Sequence, residues 1–274
     1  MSMIRTIAVG LGGAGGTTAL AWAADEAAQC GARLLLLRVS ASCSPLARFT
    51  GNPPHERLEL VDPRLARIVA AACHAGVDER VLRIVIGEPG PALAAAATEA
   101  DLLVIGSGGR GNTVREVVRH ARVPVVVARG MPGGRGSTFA DHVVVGVDGT
   151  AAGRAALDFA FCYADLHGLP VAAAYVSAPG HEGLDPSAAD RLRAEVEPWS
   201  AKHPRTRVRH TVMHNRVTDG LVRAGLGAHL LVVGNRHRGA VSRARTGDVP
   251  SSVARTADCP VAVVPIDRLE EAMT

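Results

Sequence analysis

One pattern occurs twice in this chain and restricts its fold more than any other feature. An apolar run, Leu230-Leu-Val-Val-Gly-Asn-Arg-His-Arg-Gly239, ends its strand-like part at Gly234 and passes into a polar loop reaching Gly247-Asp-Val249. Ser251 to Asp258 then reads as a helix and Cys259-Pro-Val-Ala-Val-Val264 as a strand. The same order appears earlier, in Asp101-Leu-Leu-Val-Ile-Gly-Ser-Gly-Gly-Arg-Gly111, then Thr113 to Ala121, then Val123 to Val127. Strand, glycine loop, helix and strand is an order in which main-chain N–H groups at a helix start can hold an anion.

Three anchors align the copies. Gly10 matches Gly146 and Pro124 matches Pro260, each at an offset of 136, whereas Gly106 matches Gly234 at an offset of 128. Gly106 to Pro124 spans 18 positions and Gly234 to Pro260 spans 26, so the first copy lacks half of the candidate anion loop.

The rest of each copy also alternates strands and helices. In the first, Ile4–Gly10, Arg33–Val39 and Arg80–Ile86 read as strands, and Thr17–Gly31, Pro63–Ala75 and Pro91–Ala100 as helices. Ala41–Asp62, with Pro45, Pro53 and Pro54, reads as an irregular excursion. In the second, strands are expected at His142–Val147, Pro170–Val176 and Arg207–Met213, and helices at Ala151–His167, Pro186–His203 and Thr218–Gly225. Between the copies, Arg129-Gly-Met-Pro-Gly-Gly-Arg-Gly-Ser137 cannot sustain regular structure. The expected domains are therefore 1–129 and 139–274, joined by 130–138.

Alternation of this kind implies α/β architecture: two similar doubly wound, Rossmann-like domains in tandem, each a five-stranded parallel sheet covered on both faces. The composition agrees, with 47% apolar residues but only 3% aromatic, so small aliphatic side chains must fill the cores. Ligands of such sheets bind beyond the carboxyl ends of the strands, where strand order reverses. The loops Asp148–Thr150 and Gly234–Gly247 are expected to meet there.

Other classes fit less well. The net charge is +4 and no run of five like charges occurs, so nothing calls for nucleic acid. Lys202 is the only lysine, and arginine suits bidentate phosphate contacts. No apolar run reaches the ~18 residues that cross a bilayer. The start, Arg5-Thr-Ile-Ala-Val-Gly10 with Ala21-Trp-Ala23, has some character of a signal peptide, but a similar segment recurs at His142–Ala160, so strand and helix is the better reading. Cys30, Cys43, Cys73, Cys162 and Cys259 form no C-x-x-C pair, which suits buried reduced thiols and a cytoplasmic location. His181, His203, His210, His214 and His229 have no metal-ligand spacing.

Val143-Val-Val-Gly-Val-Asp-Gly-Thr150, the glycine loop and Cys259–Val264, in that order and twice over, resemble the universal stress protein family. The resemblance covers nearly the whole chain. Its ATP-binding members carry G-x2-G-x9-G followed by Ser or Thr, and an aspartate after the first strand that contacts adenosine. Carried over, it implies a site in the second domain for ATP or a related adenine nucleotide, with Mg²⁺ as a companion ion. Asp148, Gly149 and Thr150 would form its first loop, Val176 the end of its second strand, and Gly234, Asn235 and Arg236 the start of its anion loop. His237 stands where the second motif glycine belongs; Gly239 and Gly247 follow, then Asp248 and Val249. Asp248 replaces the hydroxyl residue, and a carboxylate about 4 Å from a phosphate charge costs on the order of 4 kcal/mol at an effective dielectric near 20. In the first domain Gly106 and Gly109 satisfy G-x2-G, but ten residues on stands Arg119, leaving Gly111 and Asn112 as stand-ins. Gly12, followed by Gly13, takes the place of the aspartate.

Three functions follow. The first is a regulatory nucleotide binder, with hydrolysis at most incidental. The second is an interaction module needing no ligand, which self-associates through its closing strands as an intra-chain pseudo-dimer or a homodimer and contacts another protein. The third is a dinucleotide-dependent enzyme, since Gly10-Leu-Gly-Gly-Ala-Gly15 matches G-x-G-x-x-G. Against the third, the second strand ends in Arg38-Val-Ser-Ala-Ser, with no acid to hold a ribose.

Overall fold

The computed structural model describes residues 4–49, 53–74, 80–108, 112–130, 137–177, 187–236 and 248–266. The chain divides into two compact units, Ser2–Arg129 and Gly130–Thr274. Both are α/β.

In the N-terminal unit the strands are β1 (Thr6–Gly10), β2 (Arg33–Ser40), β3 (Arg80–Ile86), β4 (Leu102–Gly106) and β5 (Val125–Ala128). All pairings are parallel and give the order β3-β2-β1-β4-β5. The order reverses between β1 and β4, so a crevice opens at their carboxyl ends. β1, β2, β4 and β5 are buried almost without interruption: Ile7, Leu36, Leu103 and Val126 are each at 0% exposure. β3, by contrast, leaves Val81 and Ile86 exposed and carries Arg80 and Arg83, charges that discourage further pairing at an edge.

Among the described residues five α-helices cover this sheet: α1 (Gly16–Cys30), α2 (His55–Val61), α3 (Pro63–His74), α4 (Pro89–Ala96) and α5 (Thr113–His120). α1 buries Ala19, Leu20, Ala23 and Ala27, an i, i+4 stripe of small residues that lets the helix sit close to the strands. Gly31 ends it in the left-handed conformation, φ 66°.

Two expectations change here. Ala41–Asp62 is not irregular throughout: Ser44 caps a 3₁₀ turn at Pro45–Arg48 through its side chain, and α2 follows Pro53-Pro54 directly. Those prolines precede a helix and do not exclude one, because a first turn has no intrahelical use for its N–H groups. For the same reason α4 begins at Pro89, two residues before the expected Pro91.

The C-terminal unit has β6 (Val143–Gly146), β7 (Val171–Ser177), β8 (Val208–His214), β9 (Leu230–Asn235) and β10 (Val261–Pro265), all parallel in the order β10-β9-β6-β7-β8. Its helices are α6 (Ala151–His167), α7 (Ala188–Lys202), α8 (Val217–Ala224) and α9 (Val249–Thr256). α6 packs Phe159, Phe161 and Tyr163, all under 4% exposed, and Gly168 closes it at φ 65°. α9 starts two residues before the expected Ser251, because Asp248 caps it.

The thiols depart from expectation too. Cys259 is buried, but Cys30 and Cys162 are half-buried and Cys43 is exposed; none of these four is in a disulfide. Among the described residues no helix is long and apolar enough to cross a membrane.

Candidate functional site

In the C-terminal unit the crevice lies between β6 and β9, beside the loop that leaves β6. Val147 is buried, and Asp148 and Gly149 are exposed. The local sequence dictates the loop's shape. Gly149 sits at φ 74°, where a side chain would be strained, and Thr150 Oγ1 accepts from Gly153 N at 3.1 Å, capping α6. Asp148 Oδ1 accepts from Thr150 N at 3.1 Å and from Thr150 Oγ1 at 2.6 Å. One carboxylate oxygen is thus committed to holding the turn, and the group stays exposed at the carboxyl end of the sheet.

A second carboxylate arrives from α7. Glu195 faces Gly149 and has its carboxyl pushed above the usual range, first by burial and then by the neighbouring charge of Asp148. Arg154 and the Gly149 N–H act the other way. Its Oε1 is buried with no hydrogen-bond partner. Reading the sequence missed Glu195 altogether. Nothing local marks it, since only the packing of α7 beside α6 brings it to the loop.

Gly234, at the end of β9, lies against the first turn of α6: a Cβ there would fall 2.2 Å from Ala152 O. Its glycine is required by backbone contact, so the expectation that it simply lines an anion loop needs this structural role added. Gly106 repeats the arrangement against Gly15 O. Asn235 is buried at 8% exposure, its carbonyl accepting from Ile266 N, and Arg236 is half-buried beside it. Val176 packs towards α8, where a Cβ on Gly220 would come within 2.6 Å of it. His237, Gly239 and Gly247 lie outside the described residues, as does the rest of 237–247.

Asp248 has a structural role that accounts for a carboxylate at this position. Its Oδ1 accepts from Ser251 N at 3.3 Å, so the carboxylate caps α9 and takes up an N–H that could otherwise serve a phosphate. Val249 is the first residue of that helix. The structure therefore gathers Asp148, Gly149 and Thr150 in one loop, sets Gly234 against α6 next to it, and gives Asp248 a capping role.

The N-terminal crevice is built differently. Gly13 takes the positive φ, 63°, that Gly149 takes in the other unit. Gly12 stands where Asp148 does and has open space before it, with Arg38 Nη1 4.0 Å from an added Cβ. Gly15 touches the main chain of Gly106 and Gly108, so the loop after β4 rests on the start of α1. Asn112 precedes α5 without a side-chain cap, and Gly109 and Gly111 lie outside the described residues.

Two parallel doubly wound sheets, each with a crevice at its switch point, define a tandem α/β protein. The universal stress protein family model matches residues 3–129 and again 140–265, so the chain belongs to the universal stress protein family. A universal stress protein of Mycobacterium tuberculosis is 29% identical over 197 residues, covering 66% of this chain and 67% of that relative. Another from the same organism is 26% identical over 271 residues, covering 95% of this chain and 96% of its own. Among solved structures, a universal stress protein from Archaeoglobus fulgidus superposes with a TM-score of 0.70 at 19% identity, over 96% of this chain and 97% of that one. A putative universal stress protein from Pseudomonas aeruginosa gives 0.64 at 15% identity, over 98% and 96%.

Proposed function

We propose that this chain is a stress-response regulator that binds ATP or a related adenine nucleotide in its C-terminal crevice and contacts a partner protein according to occupancy. The observation that carries this reading is the exposed Asp148 carboxylate, fixed through Oδ1 by Thr150 at the β6–β9 switch point. A carboxylate held this way is an acceptor for a ribose hydroxyl or an adenine amino group. It needs no reorganisation when the ligand arrives. Gly149 leaves the main chain open to close approach, and Arg236 lies near enough along the chain to offer charge. Mg²⁺ would come with the phosphates: among the described residues no group of three His, Cys, Asp or Glu is placed to hold a metal. The closing strands β5 and β10 are the segments we assign to self-association.

The capping role of Asp248 favours a second reading, an interaction module that needs no ligand. One experiment separates the two. Mass spectrometry of small molecules released from freshly purified protein, followed by ATP titration, should find an adenine nucleotide and saturable uptake. Asp148→Asn keeps an acceptor for Thr150 while removing the charge, and should weaken uptake about tenfold or more at unchanged Tm. Absence of both released nucleotide and saturable uptake would establish the ligand-free reading.

A further inference from the structure

Beside the β1–α1 loop of the N-terminal unit is a cavity of about 130 Å³. Leu11, Leu65 and Ile68 form its apolar wall, the first two only 2% exposed, while Gly12 and Gly13 leave one side without side chains. The opposite wall carries Arg38, Asp62 and Arg64. Arg38 is fixed in place: Nη1 donates to Leu11 O at 3.0 Å, and Nη2 donates to Asp62 Oδ2 at 3.2 Å. Asp62 Oδ1 in turn accepts from Leu65 N, tying the pair to the start of α3. Of the five N–H donors on Arg38 those two bonds use two, and Nε is buried without any partner. Arg64 is exposed at the lip.

Two guanidinium groups against one carboxylate leave the lining with one uncompensated positive charge. Where the C-terminal loop presents the Asp148 acceptor, this one presents a group that can only donate. An adenine amino group, itself a donor, would meet Arg38 donor to donor. The volume argues the same way. It is close to that of a cavity known to hold benzene, ~150 Å³, and well below the ~300–1,000 Å³ of pockets for larger ligands.

We infer that this N-terminal cavity binds a small monocarboxylate with a compact apolar body, the body against Leu11, Leu65 and Ile68 and the carboxylate on Arg38 and Arg64. Planar guanidinium matches carboxylate geometry, and a partly enclosed site strengthens the pairing. The inference is independent of nucleotide binding in the other unit.

The test is calorimetric titration of the full chain with benzoate, benzamide, inorganic phosphate and AMP as probes. Benzoate should saturate one site per chain, with benzamide, of the same shape but uncharged, at least about tenfold weaker. Gly12→Asp supplies a carboxylate facing Arg38 and has room to do so. It should weaken benzoate about tenfold or more while leaving Tm unchanged. Arg64→Gln, on an exposed side chain, should weaken benzoate several-fold, and Asp148→Asn should leave it unaltered. The proposal is overturned if benzoate does not saturate or if benzamide binds equally well. It also fails if phosphate or AMP binds this cavity more tightly than benzoate, or if Gly12→Asp and Arg64→Gln both bind benzoate like wild type.

Discussion

Replacing Gly234 with alanine places a methyl carbon 2.2 Å from Ala152 O and 2.4 Å from Ala152 C. Carbon–oxygen contacts of this kind settle near ~3.3 Å, so the first turn of α6 must withdraw from β9 by about 1 Å. Both contacted atoms are main chain, and no side chain can rotate away to relieve them. Overpacking of a tight contact costs about 1–3 kcal/mol. Moving α6 also strains the Thr150 cap, which is worth about 1 kcal/mol. The sum, about 2–4 kcal/mol, corresponds to a fall in Tm of roughly 5–15 °C for a unit of this size. Each unit contains one of the two tryptophans, Trp22 in the N-terminal unit and Trp199 on α7 in the C-terminal unit. In a Trp22→Phe background, thermal melting followed by fluorescence reports the C-terminal unit directly. Gly12→Ala, followed through Trp22 in a Trp199→Phe background, is the control: a methyl group there meets nothing closer than 4.0 Å, and the expected change lies within ~0.5 kcal/mol. A Gly234→Ala transition within about 2 °C of its parent would refute the close-contact argument. The result bears on the site as well. If Gly234 holds α6 against β9, loss of ligand in a Gly234 variant reports a displaced helix, and Asp148→Asn becomes the cleaner probe of binding.

Thr150→Ala removes the acceptor for Gly153 N and one partner of Asp148, and should cost about 1 kcal/mol in urea denaturation; an unchanged midpoint would show that the loop is held by other means. Glu195 titrates higher in the folded chain than in the unfolded one, chiefly through burial, so the unfolded state loses its proton first. Stability should therefore fall as pH rises from the ordinary carboxyl range through the raised folded value. Glu195→Gln should lack that fall and be the more stable protein at pH 7, by less than about 1 kcal/mol because the group is only half-buried and solvent screens part of the effect. A wild type that gains stability across the same window would contradict this. Among Cys30, Cys43 and Cys162, iodoacetamide at neutral pH should modify Cys43 first, because it is exposed, whereas burial pushes the Cys30 and Cys162 thiols up. Peptide mass spectrometry over a time course gives the order, and faster labelling of either other thiol would overturn it.

Much of this protein was legible along the chain. Apolar runs bounded by glycine, spaced by helical periods and repeated at Gly10/Gly146 and Pro124/Pro260, determined an α/β tandem, because periodicity and turn chemistry act between near neighbours. Asp148, Gly149 and Thr150 could be singled out for the same reason, since their hydrogen bonds close within five residues. Asp248 was legible as a residue but not as a role: a carboxylate before a helix can cap it or face a ligand, and only the bond to Ser251 N distinguishes the two. What packing alone decided was which distant groups meet those loops. Glu195 reaches Gly149 from α7, Asp62 reaches Arg38 from the start of α3, and Ala152 presses on Gly234 across the β9–α6 contact. Contacts between elements depend on strand order and helix placement, which no local pattern encodes. The charge of each crevice, negative at Asp148 and Glu195 and positive at Arg38 and Arg64, is therefore a property of the folded chain.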